Sequence, residues 1–189
     1  FALSLMAQGR IEQKTLEAIE SKGKINIDGQ LTEGAWVMAK SAKNFINFQP
    51  VPGEIPPEVT EVKVLYDDQA LYIGAYLFDQ NIGGLLREFS LRDDENANTD
   101  QFSVIIDTYQ GQQNALVFAV MATGVQYDAQ IFNASEDEDA NWDGVWESDV
   151  YVDDNGWYVE MKIPYSALRF PKKDIQTWNI NFIREIRRH

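Results

Sequence analysis

Two acidic residues and an amide alternate in one short loop, Asp139-Ala140-Asn141-Trp142-Asp143-Gly144. Oxygen ligands at alternate positions suit a hard cation such as Ca²⁺, and the glycine allows a sharp turn. An EF-hand would carry a bidentate glutamate at the twelfth position, where this chain has Val150. We therefore expect either an irregular Ca²⁺ loop with Asp139, Asn141 and Asp143 as ligands, or a solvated acidic loop.

Two tryptophans, Trp142 and Trp146, lie four residues apart in the same polar stretch. A flat indole ring stacks on the apolar C–H face of a sugar, while neighbouring carboxylates and amides bond the hydroxyls. Tyr127, with Asp128 beside it, and Arg92 are candidates to line the same end of the domain. The two tryptophans, Tyr127 and Arg92 form the predicted carbohydrate site, and the alternative is that one or both tryptophans cap the hydrophobic core.

Catalytic chemistry finds little support among the residue types. The only histidine is His189, and there is no cysteine. Histidine-based triads and histidine-containing metal sites require an internal histidine. Thirty acidic residues supply many carboxylate pairs of the kind that hydrolyse glycosides, but no pair stands out from the rest. We predict that the domain is not an enzyme.

The bulk composition restricts the class of partner. The chain has 189 residues, which suits one domain, and its net charge is −14. Because affinity for phosphate chains comes mostly from lysine and arginine, nucleic acids are poor partners. No run of about 20 apolar residues exists, so no transmembrane helix is expected.

Short alternating segments separated by glycine- and aspartate-rich turns predict an all-β protein. The predicted strands cover 24–29, 60–66, 70–78, 101–107, 114–122, 125–132, 151–152, 157–163 and 178–186. A short helix is expected over 31–40, with Thr32 as its N-cap and Trp36 packed inward. A helical turn is expected over 164–168. This pattern indicates a two-sheet antiparallel β-sandwich with one or two short helices.

The first residues predict export. An apolar run over 1–6 followed by small residues is typical of the tail of a signal peptide, cut near Ala7 or Gln8, although a short buried strand is the alternative. We divide the chain into a signal-peptide remnant (1–8), a polar lead-in (9–23) and the sandwich domain (24–189). The expected location is periplasmic, outer-membrane-associated or extracellular.

Four segments together resemble the family 9 carbohydrate-binding modules. Residues 27–36 (IDGQLTEGAW) match the opening pattern I-D-G-x-L-x-E-x-x-W of that family. Residues 66–74, 100–107 and 156–164 resemble its later strands, in the same order. The chain also resembles the N-terminal domains of large exported bacterial proteins of unknown function that continue into a barrel-like region.

The resemblance implies a jelly-roll type sandwich, a structural Ca²⁺ with Asp79 as a ligand, and carbohydrate binding without catalysis. Expected partners are an oligo- or polysaccharide and the downstream region of the same chain, in a role in carbohydrate catabolism. The alternative function is a structural or interaction domain that caps an outer-membrane barrel. This alternative is based on Ala97, Ala119 and Met121. These apolar residues stand near positions where sugar-binding members of the family have side chains that contact the sugar.

Overall fold

The structure is a computed structural model that describes residues 14–94, 96–134 and 138–188. One short helix, α1 (Gly34–Met38), and a 3₁₀ turn (Ile82–Gly84) accompany the strands. The strands in chain order are β1 (Ile19–Glu20), β2 (Ser41–Ala42), β3 (Thr60–Tyr66), β4 (Ala70–Phe78), β5 (Gln101–Asp107), β6 (Ala115–Met121), β7 (Gln126–Ile131), β8 (Glu138–Asp139), β9 (Glu147–Asp153), β10 (Gly156–Pro164) and β11 (Asn179–Glu185).

The strands form two sheets that pack face to face. Sheet 1 has the order β1-β3-β4-β10-β9, with β2 also pairing with β3, and sheet 2 has the order β11-β5-β6-β7-β8. All neighbouring strands are antiparallel except β1 and β3, which are parallel. The predicted all-β, two-sheet antiparallel sandwich with a short helix is confirmed.

The main core lies between the two sheets. Successive side chains of a strand point to opposite faces, so alternate apolar residues of each strand meet in the interior. The side chains of this core come from both sheets and are buried: Val62, Val64, Leu71, Ile73, Ala75, Leu77, Phe102, Val104, Ile106, Phe118, Val120, Trp157, Val159, Met161 and Ile163. Strands 60–66 and 101–107 begin and end where the alternation predicts, and strand 70–78 where its continuous apolar run predicts, because turn residues flank all three.

The outer face of sheet 1 is covered by residues 25–39. Trp36 of α1 is fully buried there, as predicted, against Leu31, Leu65 and Tyr72. Gly74 of β4 makes room for this cover, since a Cβ on it would come within 2.7 Å of Leu31 and 3.1 Å of Trp36.

The strand predicted over 24–29 is wrong, although Ile25 is buried as an alternating strand would require. The backbone N–H of Asn26 donates to Glu33 Oε1 (2.9 Å) and that of Asp28 to Glu160 Oε2 (3.0 Å). Side-chain carboxylates thus take the N–H groups that a neighbouring strand would otherwise bind.

Smaller differences concern element ends. The helix is limited to Gly34–Met38 and has Glu33, not Thr32, at its N-cap. Residues 164–168 form hydrogen-bonded turns rather than a helical turn, and β9 extends well before the predicted 151–152. Part of the lead-in belongs to the sandwich, because β1 pairs with Leu65 and Tyr66. The predicted signal-peptide remnant (1–8) lies outside the described residues, and in the rest no helix is long and apolar enough to span a membrane.

Candidate functional site

An open cleft runs along the edge of the sandwich where β7 of sheet 2 approaches β9 of sheet 1. Its volume is about 560 Å³, within the range of small-molecule sites. Polar and apolar side chains both line it: Ile27, Arg92, Gly124, Val125, Gln126, Glu147 and Ser148. The cleft therefore contains one of the predicted sugar-site residues, Arg92, and several that the sequence analysis did not identify.

Arg92 is held in the cleft by several acceptors. Its Nη1 donates to Gln126 Oε1 at 2.6 Å, and its Nη2 donates to Asp128 Oδ1 and to the Gly144 carbonyl at 3.3 Å. Asp93 adds a carboxylate oxygen 3.4 Å from Nε. The Arg92 side chain remains 39% exposed, so a fixed guanidinium faces the solvent of the cleft.

Asp128 is the buried acceptor of this hydrogen-bond network. Its side chain is fully buried and, besides Arg92, it accepts from the Gly144 N–H and from Trp146 Nε1 (3.3 Å). A buried carboxylate requires such partners, because its desolvation costs several kcal/mol, on the order of 5, when it is left unpaired. The buried charge therefore fixes the orientation of Arg92.

Gln126 connects the two sheets across the cleft. Its Nε2 donates to Ser148 Oγ of β9 at 2.9 Å, while its Oε1 accepts from Arg92. Gln126 lies opposite Val120 and Asp128 opposite Phe118, so both polar side chains occupy the face that elsewhere carries the core. Two polar residues at core-facing positions of the strand predicted over 125–132 were the signal that could have identified this site.

The two predicted tryptophans lie beside the cleft but do not line it. Trp146 is 6% exposed and packs edge-on against Phe118, with ring centroids 5.3 Å apart, so no free face remains for a sugar. Trp142 is half-buried, at 5.8 Å from the same Phe118 ring, and it packs against the position of Gly144. The structure thus places Trp146 in the core and leaves Trp142 partly exposed near Arg92.

Tyr127 is not brought together with Arg92. It points to the outer face of sheet 2, where its hydroxyl donates to Glu138 Oε2 at 2.8 Å. On that face it packs with Val117, Ala119, Met121 and Ala129, all of which are buried. The residues that the resemblance aligns with sugar contacts, Ala119 and Met121, therefore form an apolar layer.

The acidic loop 139–143 forms no metal cage in the structure. Asp139 Oδ1 accepts from both the N–H and the Nδ2 of Asn141, at 3.1 and 2.9 Å, and this lowers the pKa of Asp139. Asp143 is 79% exposed and faces Arg92 Nε at 3.9 Å. Nowhere in the described ranges do three or more histidine, cysteine, aspartate or glutamate side chains gather as metal ligands.

The residues around Asp79, the other predicted metal ligand, do not fit Ca²⁺ either. Both carboxylate oxygens accept from Arg188, at 2.6 and 2.9 Å. Burial by itself would raise the pKa of Asp79, but the bonds from Arg188 and from the Asn81 N–H hold that pKa below its usual value. A guanidinium thus provides the positive charge at this position.

The cleft can bind hydroxyl groups. It combines a guanidinium, an amide, a hydroxyl and a carboxylate with the apolar side chains of Ile27 and Val125. Planar polar groups bond neighbouring hydroxyls of a sugar, and small apolar surfaces contact its C–H groups.

Comparisons with known proteins found a matching family model and solved structures with a similar fold. A family model described as carbohydrate family 9 binding domain-like matches residues 27–182. A family 9 carbohydrate-binding module from Caldicellulosiruptor kristjanssonii, solved with cellotriose, has a TM-score of 0.57 and 18% identity over 87% of this chain and 74% of that chain. A structure of such a module from the same organism with glucose has a TM-score of 0.59 and 16% identity, over 87% and 75%. Among curated proteins, none matches.

Proposed function

Since the chain belongs to the carbohydrate family 9 binding domain-like family, we propose that it binds a carbohydrate, without catalysis, in the cleft between β7 and β9. The observation that carries the proposal is the fixed set of polar side chains there. Gln126 is hydrogen-bonded to Arg92 at 2.6 Å and to Ser148 at 2.9 Å. The positions of these three side chains are therefore set before a ligand binds. Pre-organised groups lose little conformational entropy on binding.

The solved relatives support a neutral sugar as ligand. Their structures contain cellotriose and glucose, which carry hydroxyls and no charge. A cleft of about 560 Å³ has room for one or a few sugar residues. The proposal extends to an exported domain that serves carbohydrate catabolism, and that setting stays a prediction.

Titration calorimetry with glucose, cellotriose and a panel of other neutral glycans tests the proposal. Glu147 lines the cleft, is 59% exposed and pairs with Lys162 at 2.7 Å. Loss of its hydrogen bond to a hydroxyl in Glu147→Ala is expected to weaken binding about tenfold. Tryptophan fluorescence gives a second readout, because Trp146 contacts Asp128 beneath Arg92.

Glu61→Ala is the matched control. Glu61 also lies in sheet 1 and also pairs with a lysine, Lys43, at 2.7 Å, but it is not a lining residue of the cleft. This variant should bind as tightly as the wild type. A saturable glycan response that Glu147→Ala leaves unchanged would place the sugar outside the cleft.

A second candidate function, that of an interaction domain, is favoured by the loop over 44–59. Its side chains Ile46, Phe48, Val51 and Ile55 are between 48% and 84% exposed. The loop is closed by the Asn47 N–H, which donates to the Glu54 carbonyl at 2.8 Å. Exposed apolar groups of this kind often mark protein contacts. A flat response over the whole glycan panel would favour this second function.

A further inference from the structure

A cluster of charges lies at one end of the sandwich, where residues 184–188 meet the loops around β3 and β4. Asp79 follows β4, Glu58 precedes β3, and Arg184 and Arg188 come from β11 and the residues after it. All four side chains are at most 13% exposed. The charges are therefore largely removed from water and must compensate one another.

Arg188 donates hydrogen bonds to Asp79 from both terminal nitrogens of its guanidinium. Nη1 lies 2.6 Å from Oδ2 and Nη2 lies 2.9 Å from Oδ1, and Nη2 also donates to Glu58 Oε1 at 3.1 Å. Two parallel N–H···O bonds form the strongest arginine–carboxylate geometry. The side chain thus connects Asp79 with Glu58.

Arg184 adds a second buried guanidinium. Its Nη1 donates to the carbonyls of Phe78 and Val59, at 2.9 and 3.2 Å, and its Nη2 lies 3.9 Å from Asp79 Oδ2. These contacts fasten β11 to the end of β4 and the start of β3. Asp100 completes the cluster: it is fully buried and accepts from the Arg187 N–H at 3.1 Å.

A divalent cation does not fit beside these groups. Ca²⁺ requires six to eight oxygen ligands, whereas both oxygens of Asp79 already accept from Arg188. Two guanidinium groups within 4 Å of Asp79 would also repel a further positive charge. We infer that Arg184 and Arg188 take the place of a bound cation at Asp79, so that the domain fastens its C-terminal end to β3 and β4 without calcium.

Thermal melts of the 189-residue chain, in calcium and in chelator, test this inference. The wild-type Tm is expected to be the same in both. Arg188→Met leaves Asp79 buried without its main partner, so its Tm is expected to fall by roughly 10 °C. Arg188→Lys keeps the charge but loses the pair of parallel hydrogen bonds to Asp79. We therefore expect its Tm to lie between those of the wild type and Arg188→Met.

Arg187→Met is the matched control, one position away. The Arg187 side chain is 34% exposed and pairs with Glu185 at 3.1 Å on the surface, so its loss should change the Tm by about 1 °C or less. The inference is overturned if the Tm of Arg188→Met is the same as that of Arg187→Met. It is also overturned if chelator lowers the wild-type Tm and Asp79→Asn abolishes that effect, because a cation is then bound at Asp79.

Discussion

At the scale of single residues, Glu160 is a buried carboxyl that belongs neither to the cleft nor to the cluster of charges around Asp79. It lies in β10 and is fully buried under the N-terminal cover of sheet 1. Its Oε1 accepts from Trp36 Nε1 at 2.9 Å and its Oε2 accepts from the Asp28 N–H at 3.0 Å. Burial raises the pKa of Glu160 to about 7. The two hydrogen bonds oppose this rise, and the nearby charges of Glu33 and Asp28 add smaller increases to it.

Glu160→Gln should therefore change how stability depends on pH. The folded protein holds a proton on Glu160 more tightly than the unfolded chain, whose glutamate has its ordinary pKa near 4.5. The stability from this group is fully present below about pH 4.5 and is lost as the pH rises through about 7. Urea unfolding from about pH 4.5 to about pH 8 should show this loss in the wild type, and the glutamine variant should lack it.

Glu147→Gln provides the control for that experiment, because Glu147 is an exposed glutamate on the neighbouring strand β9. Its pH profile should follow the wild type. If Glu160→Gln keeps the same profile as the wild type, Glu160 does not titrate in this range and the buried carboxyl is charged throughout.

At the scale of elements, the turn at Gly29 packs directly against β9. Gly29 has a φ of +75°, and a Cβ on it would lie 2.5 Å from the backbone nitrogen of Tyr151. Gly53 has a similar φ, +87°, but no atom within 4 Å of a built Cβ. The two glycines therefore separate the cost of a left-handed backbone from the cost of a steric clash.

Gly29→Ala should destabilise the domain much more than Gly53→Ala. A left-handed alanine costs about 1 kcal/mol at either position, and the clash with the β9 backbone should bring the total at Gly29 to about 3 kcal/mol or more. Chemical denaturation of the two variants measures the difference. Equal losses would mean that the Gly29 turn can move away from β9 at no cost.

The elements also show what the sequence could predict. Strands 60–66 and 101–107 follow from apolar alternation, which specifies both the strand and its buried face. Strand 70–78 follows from a run that is apolar on both faces, as a central buried strand requires. The segment 24–29 has the same alternation but no strand partner, because its N–H groups bind Glu33 and Glu160. Such long-range side-chain bonds leave no local pattern in the sequence.

The candidate site was predictable only in part for the same reason. Arg92 was identified from its residue type, but its partner Gln126 lies 34 positions further along the chain. Ser148, which accepts from Gln126, lies 22 positions beyond that, and these side chains meet only when the sheets pack. For Trp146 the sequence left two interpretations open, sugar binding and capping of the core, and the structure agrees with the second. Its ring packs at the end of the core against Phe118, and the local sequence pattern could not decide between the two interpretations.

At the scale of the whole molecule, the net charge of −14 is concentrated in part around the cleft. Arg92 lies within 4 Å of carboxylate oxygens of Asp93, Asp128 and Asp143, and Glu147 is also a lining residue. Two positive groups, Arg92 and the Lys162 that pairs with Glu147, thus face four carboxylates. The field in the cleft is negative, and it should repel an anionic ligand while leaving a neutral one unaffected.

If the cleft binds carbohydrate as proposed, neutral glycans should therefore be preferred over uronate-containing ones. We expect an oligogalacturonate to bind at least about tenfold more weakly than a neutral oligosaccharide of equal length at low salt, and the gap should narrow at high salt. Asp143→Asn removes one exposed charge beside Arg92 and should narrow the gap at low salt, as measured by calorimetry. Because a neutral glycan has no net charge, its affinity should change little with salt or with this variant. Equal affinity for both glycans would show that the carboxylates do not select the ligand, whereas binding of neither would count against the cleft as a sugar site altogether.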